Sequence, residues 1–168
     1  MLKASRRGIA VAAATSALVC TMGTATPASA TAYTSYVSDN CDFMNCTEGD
    51  LFINYHSVND GQMMATGSYA KFYGNIYDYA GETRSIDGGR NTMRYVYVFY
   101  GSQGDGSGEL VKNNAGSGMN CSSVDKYRVY FNSGYQGTSQ EIPHYYGCTR
   151  DTNLIATLKN NNASQHFG

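Results

Sequence analysis

Tryptophan is absent from the sequence, proline occurs twice, and charged residues make up only 15% of it. A soluble domain usually devotes about a quarter of its residues to charge, so solubility must come from Asn, Ser, Thr, Gly and Tyr hydroxyls. No run of basic or acidic residues appears and the formal net charge is -1, which excludes the clustered basic face of a nucleic-acid binder. No window carries a sustained helical period with caps, which sets aside helix bundles and coiled coils. No segment holds the roughly 20 consecutive apolar residues of a membrane-spanning helix. Catalytic motifs are missing as well: there is no G-x-S-x-G elbow, no H-x-H or H-E-x-x-H, and no C-x-x-C pair. His56, His144 and His166 are scattered along the chain, as are Glu48, Asp50, Asp60, Asp78 and Glu82. No enzyme is expected.

What is present begins with an address. Lys3, Arg6 and Arg7 precede an apolar stretch from Ile9 to Val19, and small and polar residues follow, ending in Ala28-Ser29-Ala30. Residues 1–30 therefore read as a secretory signal peptide and 31–168 as the mature, extracellular protein. Val19 before Cys20 is β-branched where a lipoprotein signal wants a small residue, so release is favoured over lipidation. Without the leader the chain has 9 basic against 13 acidic residues, a balance of -4. It also keeps four cysteines, Cys41, Cys46, Cys121 and Cys148. An even count in an exported chain reads as two disulfides, with three possible pairings. Cys41–Cys46 with Cys121–Cys148 is favoured, because each bridge then staples a contiguous piece of chain.

The remaining wealth is in 15 Tyr and 19 Gly, residues of strands and of the tight turns between them. They are organised by a repeat. LFINYHSVNDGQM (51–63) lies over YRVYFNSGYQGTS (127–139) without a gap, placing Ile53 on Val129, Tyr55 on Phe131, Ser57 on Ser133 and Gly61 on Gly137. Further on, VKNNAGS (111–117) lies over LKNNNAS (158–164). Two markers in the same order signal a duplicated unit, with copies at approximately 41–118 and 121–168. The first copy carries about thirty extra residues, largely around 84–108, where MRYVYVFY (93–100) reads as a strand running into a Gly-rich turn. Tyr69–Tyr73, Asp125–Phe131 and Leu154–Leu158 are further strand candidates. Residues 76–85 read as a loop or short helical turn. The fold class is all-β, a Greek-key sandwich of two duplicated, unequal motifs forming one domain.

The strand Tyr130-Phe131-Asn132-Ser133 with Tyr135 and Gly137, its looser copy Asn54-Tyr55-His56-Ser57 with Gly61, and the Lys-Asn-Asn turns resemble the secreted peptidase-inhibitor family typified by the Streptomyces metalloproteinase inhibitor. That resemblance spans roughly 41–168. It implies a βγ-crystallin-like fold and an extracellular peptidase, plausibly a metalloprotease, as the partner of a monomer that needs no nucleic acid, membrane or cofactor. The hexapeptide 41–46, closed by its disulfide, is the candidate inhibitory loop, with Asp42, Phe43, Met44 and Asn45 offered on a rigid, exposed tip. A staple for the N-terminal end is the plainer alternative. The Asn turns resemble the calcium motif of βγ-crystallins, so Asn113, Asn114 and Ser117, with Asn160, Asn161 and Ser164, are candidate weak calcium ligands. Alternatively, they are turns whose amides bond their own backbone. Two other activities stay open on the same fold: a calcium-binding structural or cell-surface module, and a killer-toxin-like antimicrobial protein.

Overall fold

A computed structural model describes residues 30–168 apart from Gln103; but for Ala30, the leader lies outside the described residues. Among the described residues the protein is nearly all β, with ten strands in three sheets. In the first sheet β2 (Leu51–Asn54) is central, flanked by β3 (Tyr69–Phe72) and β6 (Ser117–Asn120), and β9 (Thr152–Asn153) pairs with β6. In the second, β7 (Tyr127–Asn132) lies between β8 (Gln136–Ile142) and β10 (Ser164–Phe167). A bridge from Ile76 to Gln165 adds a short fourth rung beside β10. All of these pairings are antiparallel.

The two sheets repeat one motif. β2, β3 and β6 correspond to β7, β8 and β10, and the third element of each motif lies in the sheet of the other. Ile76, from the first copy, pairs with β10; β9, from the second, pairs with β6. This is a pair of Greek keys with exchanged third strands, a βγ-crystallin-like sandwich. Hydrogen bonds repeat as well. Gly116 N–H donates to Asn54 O and Ala163 N–H to Tyr130 O, both at 2.9 Å. The Ser117 hydroxyl donates to His56 O and the Ser164 hydroxyl to Asn132 O, both at 2.7 Å. Asn113 N–H reaches Asn162 O at 2.8 Å while Asn160 N–H reaches Ala115 O at 2.9 Å, so the two Asn turns clasp each other.

Equivalent residues stand 76 apart in β2, 70 apart in β3, 76 apart again at Ile76 and 47 apart from Val111 onward, so the first copy carries a net 29 additional residues before Val111. The insertion supplies β4 (Glu82–Ile86) and β5 (Asn91–Tyr97). With β1 (Ala32–Val37), which runs parallel to β5, they make the third sheet in the order β1-β5-β4. Its inner end joins the core, since Val37, Tyr97 and Phe99 are buried with Leu51, Ile53, Phe72, Tyr79, Tyr127 and Val129. Phe72 stacks on Tyr79 at 5.3 Å and meets Tyr97 edge-on at 5.1 Å. Rings of this size bury most of the apolar area of a core, which explains how a tryptophan-free chain holds three sheets together. Two of the tyrosine hydroxyls are placed too: Tyr79 donates to Gln165 Oε1 at 2.9 Å, and Tyr127 bonds Asp50.

Three expectations are corrected. Leu154–Leu158 is a turn, not a strand: Leu158 and Lys159 N–H both donate to Ile155 O, and the buried pair Leu154 and Leu158 is four residues apart, a helical spacing. Residues 82–85, the end of the segment 76–85 read as a loop or helical turn, belong to β4. In β5 the regular pairing stops at Tyr97, short of Tyr100; Val98 continues only as a bridge to Leu110.

Candidate functional site

The disulfides join Cys41 to Cys46 and Cys121 to Cys148, with Cα atoms 5.0 and 4.9 Å apart. Such bridges fit an oxidising compartment, and no helix among the described residues is long and apolar enough to cross a membrane.

The hexapeptide 41–46 starts as a 3-10 turn, Asn40–Asp42, capped by Asp39, whose carboxylate accepts from Cys41 N–H at 2.9 Å. Phe43 does not stand at a tip. Its ring stacks on Tyr95 with centroids 3.7 Å apart, and the Arg84 guanidinium lies over it at 4.7 Å. Met44 is half-buried, its sulfur accepting from the buried Asn40 amide at 3.1 Å. Only Asp42 and Asn45 of the four predicted residues are exposed. Apolar side chains closed into a small ring bury more surface against a neighbouring sheet than they do in water, and the inserted β5 provides that sheet. The segment staples the N-terminal end of the domain to its third sheet.

The exposed loop lies elsewhere. β2 and β3 are joined by 55–68, whereas β7 and β8 are joined by 133–135 alone. At the outer end of the longer connection Met63 and Met64 are 68% and 49% exposed. Asn59 O and Gln62 N–H close a turn at 3.0 Å, with Gly61 at φ 79°. Behind it stand two residues of the second copy. Asn153 accepts from Val58 N–H at 2.6 Å and donates to Val58 O at 2.9 Å. Asp151 offers its N–H to Met63 O at 2.9 Å and its carboxylate to Ala65 N–H at 2.6 Å. The second carboxylate oxygen accepts from the buried Asn54 amide at 2.7 Å. Burial pushes the Asp151 carboxyl above its ordinary range, opposed by the Ala65 and Asn54 donors. Both flanks of the Met63–Met64 tip are thereby tied to the sandwich. Sequence reasoning did not single out this loop. Its signals were two adjacent methionines in a polar stretch and a connection longer than its counterpart in the other copy.

The four asparagines among the predicted calcium residues, but neither serine, come together in two equivalent clefts. One, of about 210 Å³, is lined by Lys112, Asn113, Phe131, Asn132, Ser133 and Asn161. The other, of about 320 Å³, is lined by the corresponding Lys159, Asn160, Tyr55, His56, Ser57 and Asn114. The serines are not free ligands: Ser117 and Ser164 give their protons to main-chain carbonyls and accept from the Asn54 amide and Tyr135 N–H. The Asn114 amide donates to Leu110 O at 2.9 Å and the Asn161 amide to Lys159 O at 3.4 Å. In the first cleft the Lys112 ammonium donates to Asp78 at 2.9 Å and to Ser133 Oγ at 3.0 Å. Burial raises the Asp78 carboxyl, but the Ala80 N–H, the Ser133 hydroxyl and Lys112 outweigh it and hold it below its ordinary value. Calcium needs six to eight oxygen ligands and no competing cation. These residues do not fit it, and no cluster of three or more His, Cys, Asp or Glu suited to a metal exists among the described residues. Of the histidines, His56 pairs with Asp105 at 2.9 Å. His166 lies against the Tyr135 ring at 5.5 Å, and His144 is exposed beside Asn120.

These features define a two-motif Greek-key sandwich with one clamped, exposed loop. No family model matches the chain, and no curated protein does. Among solved structures, one described as "Evolution of the eye lens beta-gamma-crystallin domain fold" is similar, with a TM-score of 0.42 and 14% identity over 73% of this chain and 88% of that one.

Proposed function

We propose that this chain is a secreted inhibitor of extracellular peptidases and that its contact element is the 58–66 loop rather than the 41–46 hexapeptide. The observation that carries the reading is the clamp of Asp151 and Asn153 around the exposed methionines. A loop already held in one conformation loses little entropy on binding. If the chain is cut at Met63–Met64, Asp151 still holds Met63 O on one side and Ala65 N–H on the other, so the ends stay in place and the product leaves slowly. Methionine side chains are unbranched and adapt to apolar pockets, which suits recognition by a peptidase subsite. The leader sequence and the disulfides support an extracellular setting, and the resemblance in the Tyr strand and Asn turns points to metallopeptidases.

The test is a titration of purified mature protein against thermolysin-like, serine and cysteine peptidases. Loss of activity in at least one class is expected, weakened at least tenfold by Met63→Asp with Met64→Asp, and with slow cleavage inside 62–65 seen by mass spectrometry. Full activity of every class at micromolar protein overturns the proposal.

A further inference from the structure

The two Asn clefts are equivalent in backbone and in most of their side chains, so each serves as a control for the other. Both place a lysine, Lys112 or Lys159, immediately before the paired asparagines, and both face a serine, Ser133 or Ser57. They differ at one decisive position. Tyr79 N–H donates to Ala163 O at 2.7 Å and Leu154 N–H to the equivalent Gly116 O at 3.0 Å, so Asp78, the residue before Tyr79, stands where the second copy has Asn153 and no carboxylate. In the first cleft the ammonium therefore reaches both Asp78 oxygens, at 2.9 and 3.1 Å, together with the Ser133 hydroxyl at 3.0 Å. In the second, Lys159 forms no ion pair among the described residues. Ser57 turns its proton to Gly116 O at 3.2 Å instead, and the Asn153 side chain is bonded to Val58.

We infer that the Lys112 ammonium is a tethered cation. It occupies the oxygen-lined cleft formed by Asp78, Ser133 and the clasped Asn turns, ties the inserted segment's root to the β7–β8 turn, and makes the fold independent of divalent metal. Three acceptor oxygens from two elements converge on one nitrogen, which matches the three protons of an ammonium. Lys112 and Asp78 are each about 30% exposed, 30% and 31%, so the pair is partly shielded from water. Removing the ammonium leaves Asp78 facing Ser133 with its charge uncompensated, and a mobile cation then takes its place. The inference does not rest on peptidase inhibition, because the 58–66 loop and this cleft share no residue.

Thermal melting of the mature protein decides it. The wild type is expected to melt at the same temperature in EDTA and in millimolar calcium. Lys112→Met, which keeps the aliphatic stem, melts several degrees lower. Combining it with Asp78→Asn costs less than the two single losses added together, because the double variant no longer holds an unpaired carboxylate. Lys112→Ala regains part of its lost melting temperature in millimolar calcium, and Lys159→Ala, the control from the other cleft, leaves melting within a degree of wild type under both conditions. Calcium stabilisation of the wild type, additive losses in the double variant, or a Lys112→Ala variant indifferent to calcium each overturns the assignment. The inhibition titration, run on the same Lys112→Met protein, reads the loop separately.

Discussion

Asp151 is 7% exposed and serves three groups at once: the Asn54 amide in the core, Ala65 N–H in the loop, and, through its own N–H, Met63 O. Replacing it with Ala leaves two donors unpaired, one of them buried, and is expected to cost about 2–3 kcal/mol, measured by urea unfolding. Its titration has a definite sign. The folded carboxyl holds its proton more tightly than the unfolded one, whose ordinary value is 3.8. Ionisation therefore costs the fold stability, and the cost appears as pH rises through the window above 3.8 and vanishes in acid. Across that window the wild type should lose stability relative to Asp151→Asn; a difference between them that stays flat with pH refutes this. The sequence could not point to Asp151, because its partners lie 97 and 86 residues away. It pointed to Ser117 and Ser164 for the right reason, their place in the repeat, but not to their role. A hydroxyl in a motif does not declare whether it will meet a cation or a carbonyl.

Among the elements, the disulfides were legible and the third sheet was only half so. The bridges close segments of different length, with separations of 5 and 27 residues. On the chain-entropy account the longer loop constrains the unfolded chain more. Cys121→Ser with Cys148→Ser should cost about 3.5 kcal/mol and Cys41→Ser with Cys46→Ser about 2 kcal/mol, compared by denaturant midpoints under oxidising conditions. The shorter bridge also seats Phe43 on Tyr95, so its loss should additionally expose the third sheet, read as faster hydrogen exchange in β5. That sheet shows why some strands escape sequence reading. β5 alternates large rings with smaller residues and was recognisable; its partner β1 (AYTSYV) is exposed for most of its length, and β4 (ETRSI) is polar except for Ile86. Their strand character comes from pairing with β5, which no local pattern records. The reverse error at Leu154–Leu158 has a local cause: apolar residues four apart were read as a strand although that spacing belongs to a helical turn.

At the scale of the molecule, duplication was the most legible feature and it gave the architecture. The pairs 51–57 with 127–133 and 111–117 with 158–164 take equivalent places, down to matching hydrogen bonds; beyond them the match ends, since Gly61 lies in the β2–β3 connection and Gly137 in β8. What the repeat could not reveal was the crossing of each third strand into the opposite sheet, a relation between copies and not within either. It follows from that crossing that half of this protein is not a smaller protein. Fragments ending and beginning between residues 123 and 124 should each be unstructured by circular dichroism and regain sheet structure when mixed and oxidised, Cys121 of one joining Cys148 of the other. A fragment that folds by itself refutes the dependence. By the same reasoning, a single motif of this kind has no route to a stable monomer and needs a second identical chain, each completing the other. Joined in one chain the two halves need not stay identical: one cleft pairs its lysine with an aspartate while the other does not, and one connecting loop is long while its twin is short.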